Sequence, residues 1–284
     1  MKLLILATFL FPSLAYAQAQ VFPTRITLTE EAPSSYLNLR NSTGATQKYR
    51  IELASFKMQK DGSQKRVVDA SNPLFEAIKF SPKSIEIQAG EKQVVRVMAT
   101  AFEEIPEGDQ VVYLHIVPES GDQSKNDDST KPNGSMSLQA KIAVAVPIIV
   151  RQGPPKLDGK IAKIQAIFDK KGDLDVSFVL RNSTKYFLTG DLELFATDGK
   201  EEVLLSRVNG VSSYLPERTV NYKIGRTELD ELGKNGENLR KIKGRYASNA
   251  DSGSQFELIA EVDVSKKSER VVKKKKKPSK PQSR

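Results

Sequence analysis

The side chains that could do chemistry are few in this 284-residue chain. Cysteine and tryptophan are absent, and His115 is the sole imidazole. Without thiols there is no cysteine nucleophile, disulfide, zinc-thiolate site or cysteine-held iron–sulfur cluster. One imidazole is poor material for a metal site or a histidine-based triad. His115 falls in the alternating run 111–117, where Val112, Leu114 and Ile116 would face a core and Tyr113 and His115 the opposite side. Asp169-x-x-Gly172-Asp173-x-Asp175 has the residue types of a calcium loop, but the ligand spacing is wrong and it lies between two expected strands. Asp122, Asp127 and Asp128 stand among Gly121, Ser124, Lys125 and Asn126, the composition of a solvated loop. No glycine-rich phosphate loop occurs. The inventory points away from an enzyme, and it implies no cofactor and no metal.

Two Asn-x-Ser/Thr triplets have either the chemistry of a glycan acceptor or that of a turn. Leu39-Arg40-Asn41-Ser42-Thr43 returns as Leu180-Arg181-Asn182-Ser183-Thr184, and Ile51-Glu52-Leu53 returns as Leu192-Glu193-Leu194 in the same register. Two matches at one spacing argue for two copies of one architecture. Asn tolerates left-handed backbone and bonds its own turn, so the turn reading is preferred.

The elements around these residues have period two. Strands are expected at Ile26–Leu28, 36–40, 49–53, 84–87, 94–98, 111–117 and 138–150, punctuated by Asn41–Gly44, Lys60-Asp61-Gly62, Ala89-Gly90 and Pro106-Glu107-Gly108. That is the count and spacing of an immunoglobulin-like sandwich. Gly153-Pro154-Pro155 is a stiff break, after which strands resume at 163–168, 174–180, 190–195, 203–206, 220–224 and 256–262. Residues 227–242 fit a short helix or a loop equally. The fold class is all-β, two immunoglobulin-like sandwiches in tandem, at residues 18–152 and 153–265.

The ends have other roles. Residues 1–17 have the three parts of a signal peptide: Lys2, an apolar run from Leu3 to Phe11, and Ala15-Tyr16-Ala17 as a small-x-small cut site. Cleavage after Ala17 would leave Gln18 first on an exported chain. Residues 266–284 hold ten cations and one anion, which accounts for the whole net charge of +9. This Lys-rich tail, with Pro278 and Pro281, is expected to be disordered. A polycation in an envelope attracts anionic lipid or another envelope polyanion. It lacks the stacking aromatics that would favour nucleic acid.

One segment is too apolar for its place. Residues 142–150, Ile-Ala-Val-Ala-Val-Pro-Ile-Ile-Val, are apolar throughout. A strand buried on both faces would need this, although most sandwich strands bury one. Pro147 cannot donate a ladder hydrogen bond and favours a sheet edge. A long apolar edge is a hazard unless something pairs with it, and a partner adding its own strand is one such use.

In order along the chain, several short motifs resemble the periplasmic pilus-assembly chaperones. They are Thr24-Arg25-Ile26 in the first strand, the Asn41 turn, Asn72-Pro73-Leu74-Phe75, Ala89-Gly90, and Val94-Val95-Arg96-Val97. Ile105-Pro106 through Tyr113-Leu114-His115-Ile116-Val117-Pro118, and then Ile148-Ile149-Val150-Arg151, complete the series. The resemblance spans about residues 21–152 and, more loosely, 157–264. It implies a chaperone that lends the seventh strand of its first domain to a pilus or fimbrial-type subunit, with an outer-membrane usher as a further candidate partner. The implied donor residues are Leu138, Ala140 and Ile142, with Met136 extending the row, and Arg25 matches the first of two cations that anchor the subunit's terminal carboxylate.

The chain departs from that pattern at the second cation, where Pro147 stands in place of a Lys. It departs again around Asp109-Gln110-Val111, which lacks the usual Glu-Ser element. The alternative is a non-catalytic envelope scaffold or adaptor with the same two domains, anchored by its basic tail.

Overall fold

The computed structural model describes residues 19–69, 71–119, 142–155, 157–197, 201–234, 238–249 and 255–266. The leader, the 120–141 segment and the basic stretch from 267 onward lie outside the described residues. The chain forms two compact units, with the change between residues 156 and 157 and the short segment 59–63 grouped with the second.

In the first unit the strands are β1 (Ala19–Phe22), β2 (Ile26–Leu28), β3 (Ser34–Asn41), β4 (Gln47–Met58) and β5 (Gln64–Val67). A single helical turn, α1 (Leu74–Ala77), precedes β6 (Ile78–Ser81), β7 (Ser84–Ile87), β8 (Lys92–Ala99), β9 (Gly108–Pro118) and β10 (Val144–Gln152). One sheet has the order β1-β3-β8-β6. The other has the order β2-β10-β9-β4-β5, with β7 also on β4. Alternating residues from both sheets, including Leu37, Leu39, Val95, Val97, Leu114, Ile116, Ile148 and Val150, form one buried core. Val112, Leu114 and Ile116 face it, and Tyr113 and His115 lie on the other side of β9.

The second unit contains β11 (Gly159–Phe168), β12 (Leu174–Asn182), β13 (Leu188–Thr197), β14 (Glu202–Ser213) and β15 (Glu217–Ile224). It continues with the helix α2 (Arg226–Glu231), then β16 (Lys241–Ser248), β17 (Glu257–Asp263) and the two-residue β18 (Ser265–Lys266). The helix resolves the segment after residue 226. The sheets have the orders β15-β12-β11-β18 and β14-β13-β16-β17. Phe178, Leu192, Leu194, Ile242 and Tyr246 centre the core. Gly244 is required there, because a Cβ at that position would stand 2.2 Å from the Phe178 ring. Each unit is thus an immunoglobulin-like two-sheet sandwich.

The repeated motif builds the same turn twice. Asn41 is fully buried and accepts from the Thr43 amide at 2.9 Å and the Thr43 hydroxyl at 2.7 Å, while its Nδ2 donates to the Ala45 carbonyl at 2.7 Å. Asn182 accepts from the Thr184 amide (3.1 Å) and hydroxyl (3.0 Å) and donates to the Tyr186 carbonyl at 2.6 Å. A glycan would need the same buried amide nitrogens, so both residues are turn-formers.

Candidate functional site, a half-paired strand margin

Strand β10 pairs with β9 along its whole length, from Val144 opposite Ile116 to Gln152 opposite Gly108. On its other side β2 runs parallel to it over Ile148, Ile149 and Val150 alone. Among the described residues, 144–147 therefore have a strand on one side only. This corrects the expectation of one margin strand over 142–150, while residues 138–141 of that expected strand lie outside the described residues. The strand starts at Val144, and its second half is enclosed: Ile148, Ile149 and Val150 are all buried, so both faces are covered there. The cause lies at the other end of the domain. The chain leaves the first sheet after Phe22, crosses at Pro23, Thr24 and Arg25, and has only three residues left to lie against β10.

The open half carries no charge. Val144 and Val146 turn toward the core, and Ala145 and Pro147 turn away from it. Pro147 stands at the last position before β2 begins to pair, where the missing N–H costs the β2 ladder nothing. Ile142 lies two residues before the strand, outside any regular element, and is 60% exposed. The remaining expected donor residues, Met136, Leu138 and Ala140, lie outside the described residues.

Arg25 sits one residue before β2 and is half-buried. Ile26 is registered with Ile148, so one step back brings Arg25 level with Pro147. The position beside the first cation is thus occupied by an imino acid without charge. Arg151, four residues on, is engaged elsewhere. Its Nε and Nη2 each donate to Asp109 at 2.8 Å, one to each carboxylate oxygen, and the pair is buried. This bidentate bond joins β9 to β10 at their registered positions. Sequence reasoning noted Asp109 only as a departure from a pattern. The antiparallel register that places it opposite Arg151 is a long-range fact that neither local stretch contains.

A cluster of charged groups on the outward face of this sheet is mutually satisfied. His115 Nδ1 lies 3.2 Å from Glu52 Oε1, and Glu52 also accepts from Arg66 at 3.0 Å and from Arg50. Burial pushes the Glu52 carboxyl up, but the hydrogen bonds from His115, Arg50 and Arg66 outweigh it and hold the group below its ordinary value. The echo of Glu52 in the second unit, Glu193, is bound in the same way by Arg207 and Arg245. The acidic turn at 169–175 is filled by a lysine: Lys223 Nζ lies 2.8 Å from Asp169, 3.2 Å from Asp173 and 3.5 Å from Asp175. Its hydrogen bond draws the Asp169 carboxyl down to about 2, and the lysine rises in return. Among the described residues no group of three His, Asp or Glu side chains could hold a metal ion.

No family model and no curated protein matches this chain. Among solved structures it is similar to the CsuC–CsuE chaperone–tip adhesion subunit complex from Acinetobacter baumannii, at 14% identity, with a TM-score of 0.44 over 89% of this chain and 100% of that one. It is also similar to the class 5 fimbriae chaperone CfaA (13%, TM-score 0.42, 85% and 97%). A third is the Salmonella enterica SafA pilin in complex with the SafB chaperone (12%, TM-score 0.43, 85% and 95%). Likeness this distant leaves function to be argued from the chain's own residues.

Proposed function

We propose that this protein is a periplasmic chaperone that holds pilus or fimbrial-type subunits by strand addition, without ATP, metal or a chemical step. The observation that carries the reading is the uncharged half of β10, paired with β9 on one side and with no described strand on the other. A client whose sandwich lacks a strand would complete itself along this margin and onward through Ile142 toward Ala140, Leu138 and Met136. Backbone hydrogen bonds supply the register, and alternate apolar side chains fill the client's vacant row. Arg25, level with the start of the enclosed segment, is the candidate anchor for a terminal carboxylate. Pro147 beside it means that the carboxylate is held by one guanidinium in place of two cations.

The test is co-purification of a pilus-type subunit co-expressed in the same periplasm. Each buried Leu or Ile contributes about 1.5–3 kcal/mol. Leu138→Glu combined with Ile142→Glu should therefore cut subunit recovery more than ten-fold while the far-ultraviolet circular dichroism and thermal unfolding of the chaperone stay unchanged. Undiminished recovery would overturn the donor assignment. Arg25→Ala should lower recovery less and should leave Pro147→Lys able to restore it.

A further inference from the structure

The face of the first domain on the opposite sheet has a different electrical character. In the sheet β1-β3-β8-β6 the outward side chains line up in cross-strand rows. Arg40 is opposite Lys92, Phe22 opposite Asn38 and Asn38 opposite Val94, and Tyr36 opposite Arg96. On β6, Lys79 lies opposite Met98 and Ser81 opposite Arg96. Four of these outward residues are cations, Arg40, Lys79, Lys92 and Arg96, and none is an acid. Arg40 and Lys79 bond backbone carbonyls, of Gly90 and Glu76, and among the described residues none of the four is in an ion pair. Between them stand three large apolar side chains open to solvent: Phe22 at 72%, Tyr36 at 55% and Val94 at 47% exposed. The nearest acid along the chain, Glu91, is in the turn before β8, where it lines a shallow depression with Arg40 and Lys92.

This arrangement has a cost that calls for an explanation. Adjacent rows of like charge repel, and an exposed Phe leaves apolar area in water. Both costs are recovered against a surface that is negative and wet outside and apolar just beneath. A bilayer rich in anionic lipid is such a surface: aromatic rings settle at the headgroup level while Lys and Arg meet the phosphates. The patch is a sheet face four strands wide, about 15 Å across at the usual strand spacing. We infer that the outward face of β1-β3-β8-β6 docks this domain onto an anionic lipid surface. The client margin of β10 belongs to the other sheet, so the inference stands or falls independently of the proposed chaperone function.

The experiment is co-sedimentation of the mature chain, residues 18–284, with phosphatidylcholine vesicles that either contain or lack phosphatidylglycerol. Lys267, Arg270, Lys273 to Lys277, Lys280 and Arg284 are all changed to Gln, so that Lys266 and Glu269 balance and the tail does not contribute. Each surface cation is worth about 1 kcal/mol, or about five-fold in affinity. The tail-neutralised chain should bind the phosphatidylglycerol vesicles and not the neutral ones. Arg40→Glu with Arg96→Glu should weaken binding more than 25-fold, and Phe22→Ser with Tyr36→Ser about ten-fold. Lys57→Glu with Lys65→Glu makes the same change in net charge on the β4–β5 hairpin and should shift affinity less than two-fold. Circular dichroism checks that each variant is folded. Absence of binding by the tail-neutralised chain overturns the proposal, as do equal losses from the two charge reversals. So does capture of single-stranded DNA or poly-glutamate through Arg40 and Arg96 with vesicles ignored.

Discussion

The two sandwiches end their sheets in opposite ways. In the second, β17 is an edge strand paired with β16 from Glu257 through Asp263, and its outward positions include Glu257, Glu261 and Asp263. Charges along a margin are the usual defence against another chain adding to it. In the first, the half of β10 with one described neighbour offers Val144, Ala145, Val146 and Pro147, with no charge at all. One protein therefore guards the edge that must stay alone and leaves another unguarded. The contrast is informative because both domains share the same turn and the same outward glutamate, yet differ in the charge that their closing strands carry.

The sharpest way to break this comparison is at the join that holds the open strand in place. Asp109→Ala would take away the carboxylate that holds the buried Arg151 guanidinium and should destabilise the first domain by about 3–5 kcal/mol, measured by urea unfolding. Asp109→Leu with Arg151→Met should recover most of that loss, since an apolar pair of similar volume removes the stranded charge. No corresponding buried pair ties β16 to β17 among the described residues. There Arg245 and Glu257 lie 3.5 Å apart and are well exposed, and removing Glu257 should cost less than about 1 kcal/mol.

The paired turns sharpen it further. Asn41 has two bonds that Asn182 lacks, from Nδ2 to the carbonyls of Ile87 (3.0 Å) and Gln88 (3.2 Å), which staple the turn to the end of β7. Asn41→Ala should therefore cost about 3 kcal/mol and Asn182→Ala about half as much, read from the urea midpoints. Equal losses would mean that the long-range staple contributes nothing.

The smallest expected effect is acid dependence in the second domain. The Asp169 carboxyl, ordinarily near 3.8, is held at about 2 by Lys223. Its stabilising contribution is complete above its ordinary value and is lost as pH falls through the folded one. Asp169→Asn should flatten the decline in second-domain stability between pH 4 and pH 2 and leave the first domain's decline unchanged.

The features that the sequence made legible were local ones. An Asn followed two residues later by Thr specifies its own turn, and alternation identified β9 and which of its residues face inward. The apolar run 142–150 identified the unusual strand but not how much of it is open. That boundary is set by β2, about 120 residues earlier, and β2 is short because its chain first serves the other sheet. The same reason hid Asp109–Arg151 and Lys223–Asp169, since each needs the register of two strands far apart in the chain. Arg25 and Pro147 lie far apart in the sequence, and the parallel register of β2 is what brings them level.

The clip between Ile26–Leu28 and Ile148–Val150 has a consequence for biosynthesis. The opening and closing segments of the first domain are neighbours in the finished sheet, so the second sheet cannot be closed until roughly 150 residues have emerged. Until then the three residues of β2 have no ladder to join. During synthesis, the order of arrival and not intrinsic preference should fix the last event in this domain's assembly, and β10 should be the final piece to lock.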